Sequence, residues 1–287
     1  MKSPSRRTVL LSAGAATLSA LAKTGAALAK TRGIELGVCG APDSFAKAEH
    51  YGFDYFEPGG AAIAAMTDSA FASFREQVLA SRIRCRSFNS LIRTLRVVGD
   101  DANLDAVSAY LDSTLDRCRT LGARVAVWGS ASSRQVPPGY SREVAWNQIK
   151  TFLARAGDIA KAKQMVIGIE PQRKQESNII NTGAEALRLV SEVNHPHVKM
   201  IIDYYHLRVE QEDPEIVLKA RNEIVHLHFA NPNGRLWPKL ADEDAEYDRF
   251  FSILKQINYT GGLSIEGNGT FENDAAASLA FFRGELK

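Results

Sequence analysis

Cysteine is scarce in this chain, and its spacing excludes two kinds of structure. The 287 residues include three cysteines, Cys39, Cys85 and Cys118, an odd number with no C-x-x-C pair. Disulfide frameworks need paired cysteines, and structural zinc sites need closely spaced thiolates, so the sequence predicts neither. Cys39 and Cys85 stand in apolar runs, which indicates small buried side chains.

Glycine-rich phosphate loops and linkers are also missing. No G-x-G-x-x-G or P-loop pattern occurs, so nothing indicates a dinucleotide-binding or nucleoside triphosphate-binding domain. After the N-terminal segment, no low-complexity stretch or block of like charges divides the chain. These absences favour a single globular domain.

The chain has no apolar run long enough to predict a membrane span. The N-terminal apolar stretch, residues 9–22, is shorter than the roughly 18 residues that a spanning helix requires. It follows two arginines at 6–7 and precedes an A-x-A pattern at 27–29, which resembles a twin-arginine export signal. We therefore predict a signal peptide over 1–29, a mature chain over 30–287, the twin-arginine export machinery as a partner, and a periplasmic or exported location. A Sec signal or a plain N-terminal helix is the alternative.

A large excess of one charge is absent as well. The full chain has 35 Lys and Arg against 33 Asp and Glu, a formal net charge of +2. Four of the basic residues and none of the acidic ones lie in residues 1–29, which leaves the mature chain with 31 basic and 33 acidic residues, a net charge of −2. A slightly acidic protein is a poor candidate for binding nucleic acid, so no such partner is predicted.

What the sequence does contain is a regular alternation of strand-like and helix-like segments. Eight short apolar runs are predicted strands: 34–39, 53–57, 83–88, 123–128, 165–170, 198–203, 224–229 and 262–266. The clearest amphipathic segments between them are 102–121, 141–162, 183–193, 243–257 and 274–283. Such alternation indicates βαβ units with a parallel sheet, and eight strands indicate an α/β fold of the (β/α)8 TIM barrel type, as a single domain. A doubly wound sheet is the alternative fold.

Polar side chains stand at the ends of four neighbouring predicted strands. They are Glu170 on strand 5, Asp203 and then His206 on strand 6, His226 and His228 on strand 7, and Glu266 on strand 8. In barrels of this type the chemistry lies at the carboxyl ends of the strands, so these groups are expected to converge at one rim. A single acid at a strand end is often a helix cap, but caps do not explain all four strands.

Converging carboxylates raise one another's pKa, and a divalent cation removes that repulsion. Three carboxylates and one imidazole favour Mn²⁺ or Mg²⁺, with Co²⁺ and Zn²⁺ as alternatives. His226 and His228 are two residues apart, so both are expected to face the barrel interior. His228 is nearer the rim and is the predicted ligand, whereas His226 is predicted to be a core or supporting histidine.

Four stretches carry these residues in a combination that occurs in known proteins. They are IGIEPQRKQESNIINT (167–182), MIIDYYH (200–206), HLHFANPNGR (226–235) and YTGGLSIEG (259–267). In order and spacing they resemble the xylose isomerase-like TIM barrel superfamily. Within it they are most similar to the sugar phosphate isomerase/epimerase branch, which includes the D-tagatose 3-epimerases and hydroxypyruvate isomerases. The resemblance covers most of residues 33–285.

The resemblance implies roles for particular side chains. It implies a metal site made by Glu170, Asp203, His228 and Glu266, with Glu170 and Glu266 also acting as the acid/base pair on opposite faces of the substrate. It further implies that His206 and Arg235 bind the substrate, and that Glu176 contacts the substrate or orients His206.

Two further residues are candidates from their position alone. Arg134 lies in the loop after strand 4, on the rim where the substrate is expected, and it is predicted to bind a polar or anionic group of the substrate. A solvated loop arginine is the alternative. Glu57 ends strand 2 and is a weaker candidate for the pocket.

The predicted function is a divalent-metal-dependent isomerase or epimerase that acts on a ketose or keto-sugar by proton abstraction through an enediolate. The same ligands are compatible with a lyase or dehydratase of a keto-sugar or keto-inositol, and with a non-catalytic periplasmic sugar-binding protein. A nuclease of the related apurinic-endonuclease branch would need further histidines, which strand 3 lacks. The expected partner is a small free or oxidised sugar, and a homo-oligomer is compatible with the sequence.

Overall fold

Eight parallel strands lie at the centre of residues 33–287. The computed structural model describes Met1 and these residues, so the predicted signal peptide lies outside the described residues apart from Met1. The strands, β1–β8, are Glu35–Gly40, Tyr55–Pro58, Ser87–Phe88, Val125–Trp128, Val166–Ile169, Val198–Asp203, Ile224–Phe229 and Gly262–Ile265. Their order in the sheet is β2-β1-β8-β7-β6-β5-β4-β3. Parallel bridges from Phe56 to Cys85 and from Gly59 to Asn89 then bring the two ends of the sheet together, which nearly closes a barrel.

Helices connect the strands. In the described part of the chain, α1–α11 are Phe45–Tyr51, Gly60–Ala64, Asp68–Ala80, Leu104–Thr120, Ala131–Arg134, Arg142–Ala162, Gly183–Val193, Tyr204–Val209, Glu215–Lys219, Tyr247–Gln256 and Phe271–Glu285. The longer helices mostly begin at a side chain that accepts a hydrogen bond from the backbone N–H three residues later, as at Thr67, Asn103, Ser141, Thr182 and Thr270. Short polar residues before an amphipathic run therefore set where these helices start.

The (β/α)8 barrel predicted from the alternation is confirmed, with differences at the level of single elements. Strand β3 is limited to two residues, Ser87–Phe88, instead of the six predicted over 83–88. Before it, Arg84 turns to the end of α3 and donates to the Val78 carbonyl, and Cys85 pairs with β2 through one bridge only. Six of the described helices lie outside the clearest amphipathic segments of the sequence, and five of these have seven residues or fewer, too few to show a helical period.

The interior of the barrel contains a buried polar network that continues inward from its carboxyl-terminal rim. Tyr55, Glu57, His226, His228 and Ser264 are all buried there. The Tyr55 hydroxyl lies 2.7 Å from Ser264 Oγ, which joins strands from the two sides of β1. Buried polar groups of this kind must be mutually hydrogen-bonded to be stable. Among the described residues, no helix combines the length and apolarity that crossing a membrane requires.

Candidate metal centre and active site

Four side chains from adjacent strands meet at the carboxyl-terminal rim of the barrel. Glu170 follows β5, Asp203 ends β6, His228 lies in β7, and Glu266 follows β8. One ligand atom of each lies within 4.8 Å of those of the other three. Neighbouring parallel strands end at the same rim of the barrel. Residues at the ends of four different strands therefore form one cluster there. The structure thus brings together the four residues that the sequence predicts as metal ligands.

The two ring nitrogens of His228 have different surroundings. Its Nδ1 lies 2.8 Å from Glu170 Oε1 and 3.4 Å from Glu266 Oε2, on the side of the cluster. Its Nε2 lies 3.0 Å from Glu57 Oε1, deeper in the barrel. Metal-binding histidines commonly donate their second ring N–H to a carboxylate, which fixes the tautomer and the ring orientation. Glu57 has this position relative to His228.

Glu57 itself is fully buried and held by several donors. It accepts hydrogen bonds from Ser87 Oγ at 2.6 Å and from His226 Nε2 at 2.7 Å, and Ser264 donates to it as well. Burial alone would raise the pKa of Glu57, but the charges and hydrogen bonds of His226 and His228 lower it well below its usual range. The sequence places Glu57 at the end of a strand, and the structure adds that it lies beneath the cluster as a support for His228.

The charges of the cluster are unevenly distributed. Burial and the nearby Glu266 raise the pKa of Glu170. Burial would also raise the pKa of Glu266, but His228 and then Arg235 lower it to about 2. Burial would lower the pKa of His228, but the carboxylates around it, Glu266 first, raise it well above its usual range. His228 and Arg235 therefore stabilise the ionised form of Glu266 more than that of Glu170.

The donor set fits a divalent cation. Asp203 Oδ1 accepts a hydrogen bond from the His206 backbone N–H at 3.3 Å and so caps α8. Asp203 Oδ2 is buried and has no hydrogen-bond partner among the described residues, and the same is true of His206 Nε2, 3.6 Å away. A buried polar atom without a partner costs about 1–3 kcal/mol. A cation held by three carboxylates and an imidazole removes that cost for Asp203 and reduces the repulsion between the acids.

Arg235 and Glu176 lie on the open side of the cluster. Together with Glu170 and Glu266 they line a polar cavity of about 540 Å³. Arg235 Nη2 lies 2.8 Å from Glu266 Oε2, and Arg235 Nη1 lies 3.5 Å from Glu176 Oε1. The guanidinium also lies over the Tyr205 ring, 4.8 Å from its centroid. Both residues are therefore placed where a ligand in this cavity would touch them.

His206 is more deeply placed than the sequence suggests. Its side chain is 1% exposed, and its Nδ1 accepts a hydrogen bond from the Arg173 backbone N–H at 3.2 Å. This bond leaves the ring proton on Nε2, the atom that has no partner within the described residues. Glu176 reaches the same segment through a 2.7 Å contact with Arg173 Nε. His206 therefore presents one N–H donor beside Asp203.

Arg134 does not lie where the sequence analysis predicts. Its side chain is fully buried and does not line the polar cavity beside the cluster. It donates to the carbonyl oxygens of Trp128 at 3.1 Å and Glu170 at 2.7 Å, and it stacks on the Trp128 ring. The short helix α5 turns the side chain inward, so Arg134 joins the ends of β4 and β5 and cannot bind the substrate directly.

Asn89 is a residue that the sequence analysis misses. Its side-chain amide donates to Glu266 Oε1 at 2.7 Å, from the loop that follows β3. The bridge between Asn89 and Gly59 holds this loop against the end of β2. A polar residue after a strand is too common to single out, and only closure of the barrel brings Asn89 to Glu266.

Replacing Glu57 with glutamine is expected to weaken binding of a divalent cation by about 10- to 100-fold. The substitution keeps the size of the side chain but removes the negative charge that His228 Nε2 faces. The dissociation constant for Mn²⁺, measured by titration calorimetry, tests this. Ser87→Ala is the matched control, because it removes one hydrogen bond to Glu57 without altering the charge. An unchanged Mn²⁺ affinity in a folded Glu57→Gln protein would contradict the supporting role.

Known proteins share this fold and sequence pattern. Residues 45–284 match the family described as xylose isomerase-like TIM barrel. The chain is 31% identical over 131 residues to an L-ribulose 3-epimerase of Methylomonas sp., covering 45% of this chain and 44% of that protein. It is 25% identical over 251 residues to a 3-dehydro-D-guloside 4-epimerase of Escherichia coli, covering 84% and 93%. The aligned region thus spans under half the length of the first relative and nearly all of the second.

A solved structure supports the same fold. A D-psicose 3-epimerase crystallised in the presence of D-fructose superposes with a TM-score of 0.77 at 20% sequence identity, over 88% of this chain and 99% of that one. The family match extends from α1 almost to the end of α11 and includes all four residues of the cluster. The chain therefore belongs to the xylose isomerase-like TIM barrel family.

Proposed function

We propose that this protein is a divalent-metal-dependent epimerase of ketoses or keto-sugars, with Mn²⁺ as the preferred cation. The observation that carries the proposal is the meeting of Glu170, Asp203, His228 and Glu266 beside an open polar cavity. The sugar epimerases among its relatives support the isomerase class. Glu170, Asp203, His228 and Glu266 would hold the cation. When bound, it would supply Lewis-acid stabilisation of negative charge on the substrate's oxygens.

The two glutamates are proposed to act as the acid and the base. Both line the open polar cavity and lie beside the proposed cation site, so each can exchange a proton with a bound sugar. In one direction of the reaction Glu266 removes the proton on the carbon next to the carbonyl, and an enediolate remains. Glu170 delivers a proton to the opposite face of the same carbon, which inverts that centre. In the reverse direction the two roles exchange.

Three further side chains are proposed to hold the sugar. Arg235 and Glu176 line the cavity, and they offer a guanidinium donor and a carboxylate acceptor to sugar hydroxyls. His206 is buried beside Asp203 and outside the lining of that cavity, and it would offer its Nε2 proton to a substrate oxygen that reaches the cation site. Hydrogen bonds from fixed groups select one orientation of the sugar and bring the reacting carbon between the two glutamates.

Export is part of the proposal. The arginine pair and the A-x-A pattern of residues 1–29 support a twin-arginine signal peptide, with the mature barrel beginning near Lys30. Such an enzyme would meet free or oxidised sugars outside the cytoplasm, rather than phosphorylated ones. The N-terminal residue of the protein recovered from the periplasmic fraction tests this, and an intact Met1 there would contradict it.

The reaction is tested with a panel of ketoses and keto-sugars in D₂O, using the Mn²⁺-loaded protein. We expect deuterium to enter at a carbon next to the carbonyl, together with formation of the epimer, and NMR follows both. Release of a dehydrated product would instead identify a lyase. Sugar binding without any exchange, across the whole panel, would contradict the epimerase proposal and favour a sugar-binding protein.

A further inference from the structure

The cavity beside Glu266 has two arms. The first arm is the cavity of about 540 Å³ lined by Glu170, Glu176 and Arg235. The second arm, about 590 Å³, lies over the carboxyl ends of β1, β2 and β3. The two arms share four lining residues, Ser90, Arg93, Glu266 and Gly267. Pockets for drug-sized ligands measure roughly 300–1,000 Å³, so either arm alone has room for one sugar ring.

Small side chains keep the second arm open. Gly40, Gly59, Ala61 and Ala62 line it, at the ends of β1 and β2 and in the first turn of α2. Gly59 has an ordinary extended backbone (φ −67°, ψ 129°), and a Cβ added there would meet no atom closer than 3.5 Å. The backbone conformation at Gly59 is one that any residue can adopt. We therefore attribute the glycine to the space that it leaves in the second arm.

Polar side chains in the second arm are available to a ligand. Ser90, Arg93 and Thr94 line the arm, and none of the three uses its side chain in a hydrogen bond or ion pair with another described residue. Ser90 has a φ of 45°, a left-handed conformation that is uncommon for serine and is often found at functional sites. The loop is nevertheless well held, because Gly60 N–H donates to the Asn89 carbonyl at 2.7 Å and Ala61 N–H donates to the Ser90 carbonyl at 3.2 Å.

We propose that the second arm is a subsite for a second sugar ring, so that the substrate is a keto-glycoside with two rings. The inference rests on the proposed function. The oxidised ring occupies the first arm between Glu170 and Glu266, and the glycosidic bond passes Arg93 where the arms join. The second ring lies over Gly59 and Ala62, with its hydroxyls within reach of the side chains of Ser90, Arg93 and Thr94.

The test uses two substrates that differ only in the second ring: methyl 3-dehydro-β-D-glucoside and cellobiose oxidised at C3 of its non-reducing ring. Wild-type protein is expected to favour the two-ring compound in kcat/KM. Ala62→Trp fills the second arm from an exposed position of α2 and is expected to remove that preference. It should raise KM for the two-ring compound at least about tenfold and leave the one-ring compound within about twofold. Gly59→Val is a second blocking variant with a different position in the fold.

Binding provides a readout that does not depend on turnover. Calorimetry of cellobiose and methyl β-D-glucoside with the Mn²⁺-loaded protein is expected to show tighter binding of cellobiose, which Ala62→Trp and Arg93→Ala both abolish. Equal binding of the two sugars, or an equal loss for both in the blocked variants, would overturn the second subsite. Selective cellobiose binding without deuterium exchange into any keto-sugar would support the subsite and contradict only the proposed reaction.

Discussion

Glu266→Gln is expected to lower the rate of epimerisation by about 100- to 10,000-fold, the contribution of a positioned acid or base. Glutamine keeps an oxygen toward the cation site but removes a ligand charge, so the rate is measured at a Mn²⁺ concentration that saturates the variant. In a two-base mechanism Glu170 remains active on its own face of the sugar. One epimer should therefore still exchange its proton with D₂O while neither epimer is converted into the other.

The reciprocal variant makes this prediction sharper. Glu170→Gln is expected to lose epimerisation activity to a similar extent, but to retain proton exchange with D₂O in the epimer that Glu266→Gln does not exchange. NMR in D₂O shows which epimer takes up deuterium in each variant. Metal content is measured in both proteins to show that the cation is retained. Glu76→Gln, an exposed position on α3, is the control for the substitution itself. Loss of exchange from the same epimer in both active-site variants would argue for a single base.

Removing the divalent cation is expected to lower activity by about three orders of magnitude and to destabilise the protein. Lewis-acid stabilisation is worth several kcal/mol of the barrier, and each 1.36 kcal/mol is a factor of ten, so the expected loss is about 1,000-fold. Stability falls as well, because a ligand present at 100 times its Kd contributes about 2.7 kcal/mol to the folded state. Chelator-treated protein, assayed with and without added Mn²⁺, gives the rate, and thermal unfolding gives the stability change.

Two variants separate the loss of metal binding from a general loss of folding stability. Asp203→Asn removes a ligand charge, and it should weaken both the recovery of activity and the thermal stabilisation by Mn²⁺. Asp158→Asn, which alters an exposed contact with His195 before β6, should respond to Mn²⁺ as the wild type does. Full activity in protein shown to hold less than stoichiometric metal would contradict a metal-dependent reaction.

Asp203 illustrates how far sequence reasoning extends. As an acid at the end of an apolar strand, it has two ordinary explanations, a helix cap and a metal ligand. The structure shows one oxygen capping α8 and the other buried without a hydrogen-bond partner among the described residues, directed toward the cluster and 3.7 Å from Arg235 Nη2. One carboxylate can do both, because its two oxygens point in different directions. The sequence names the residue, but only the coordinates assign its two atoms.

The order of strands and helices and the four polar strand ends were determined by the sequence itself. Those features depend on local periodicity and on the rule that parallel strands end at one rim. Only the tertiary structure decided four other features. Glu57 supports His228, and Asn89 donates to Glu266. The Arg134 side chain turns inward, and a second arm of the cavity opens beside Gly59. Three of these depend on how distant strands are staggered when the barrel closes, whereas helix α5 turns Arg134 toward the ends of β4 and β5. Local sequence patterns do not carry that information, because the closing contacts join residues far apart in the chain, such as Asn89 and Glu266.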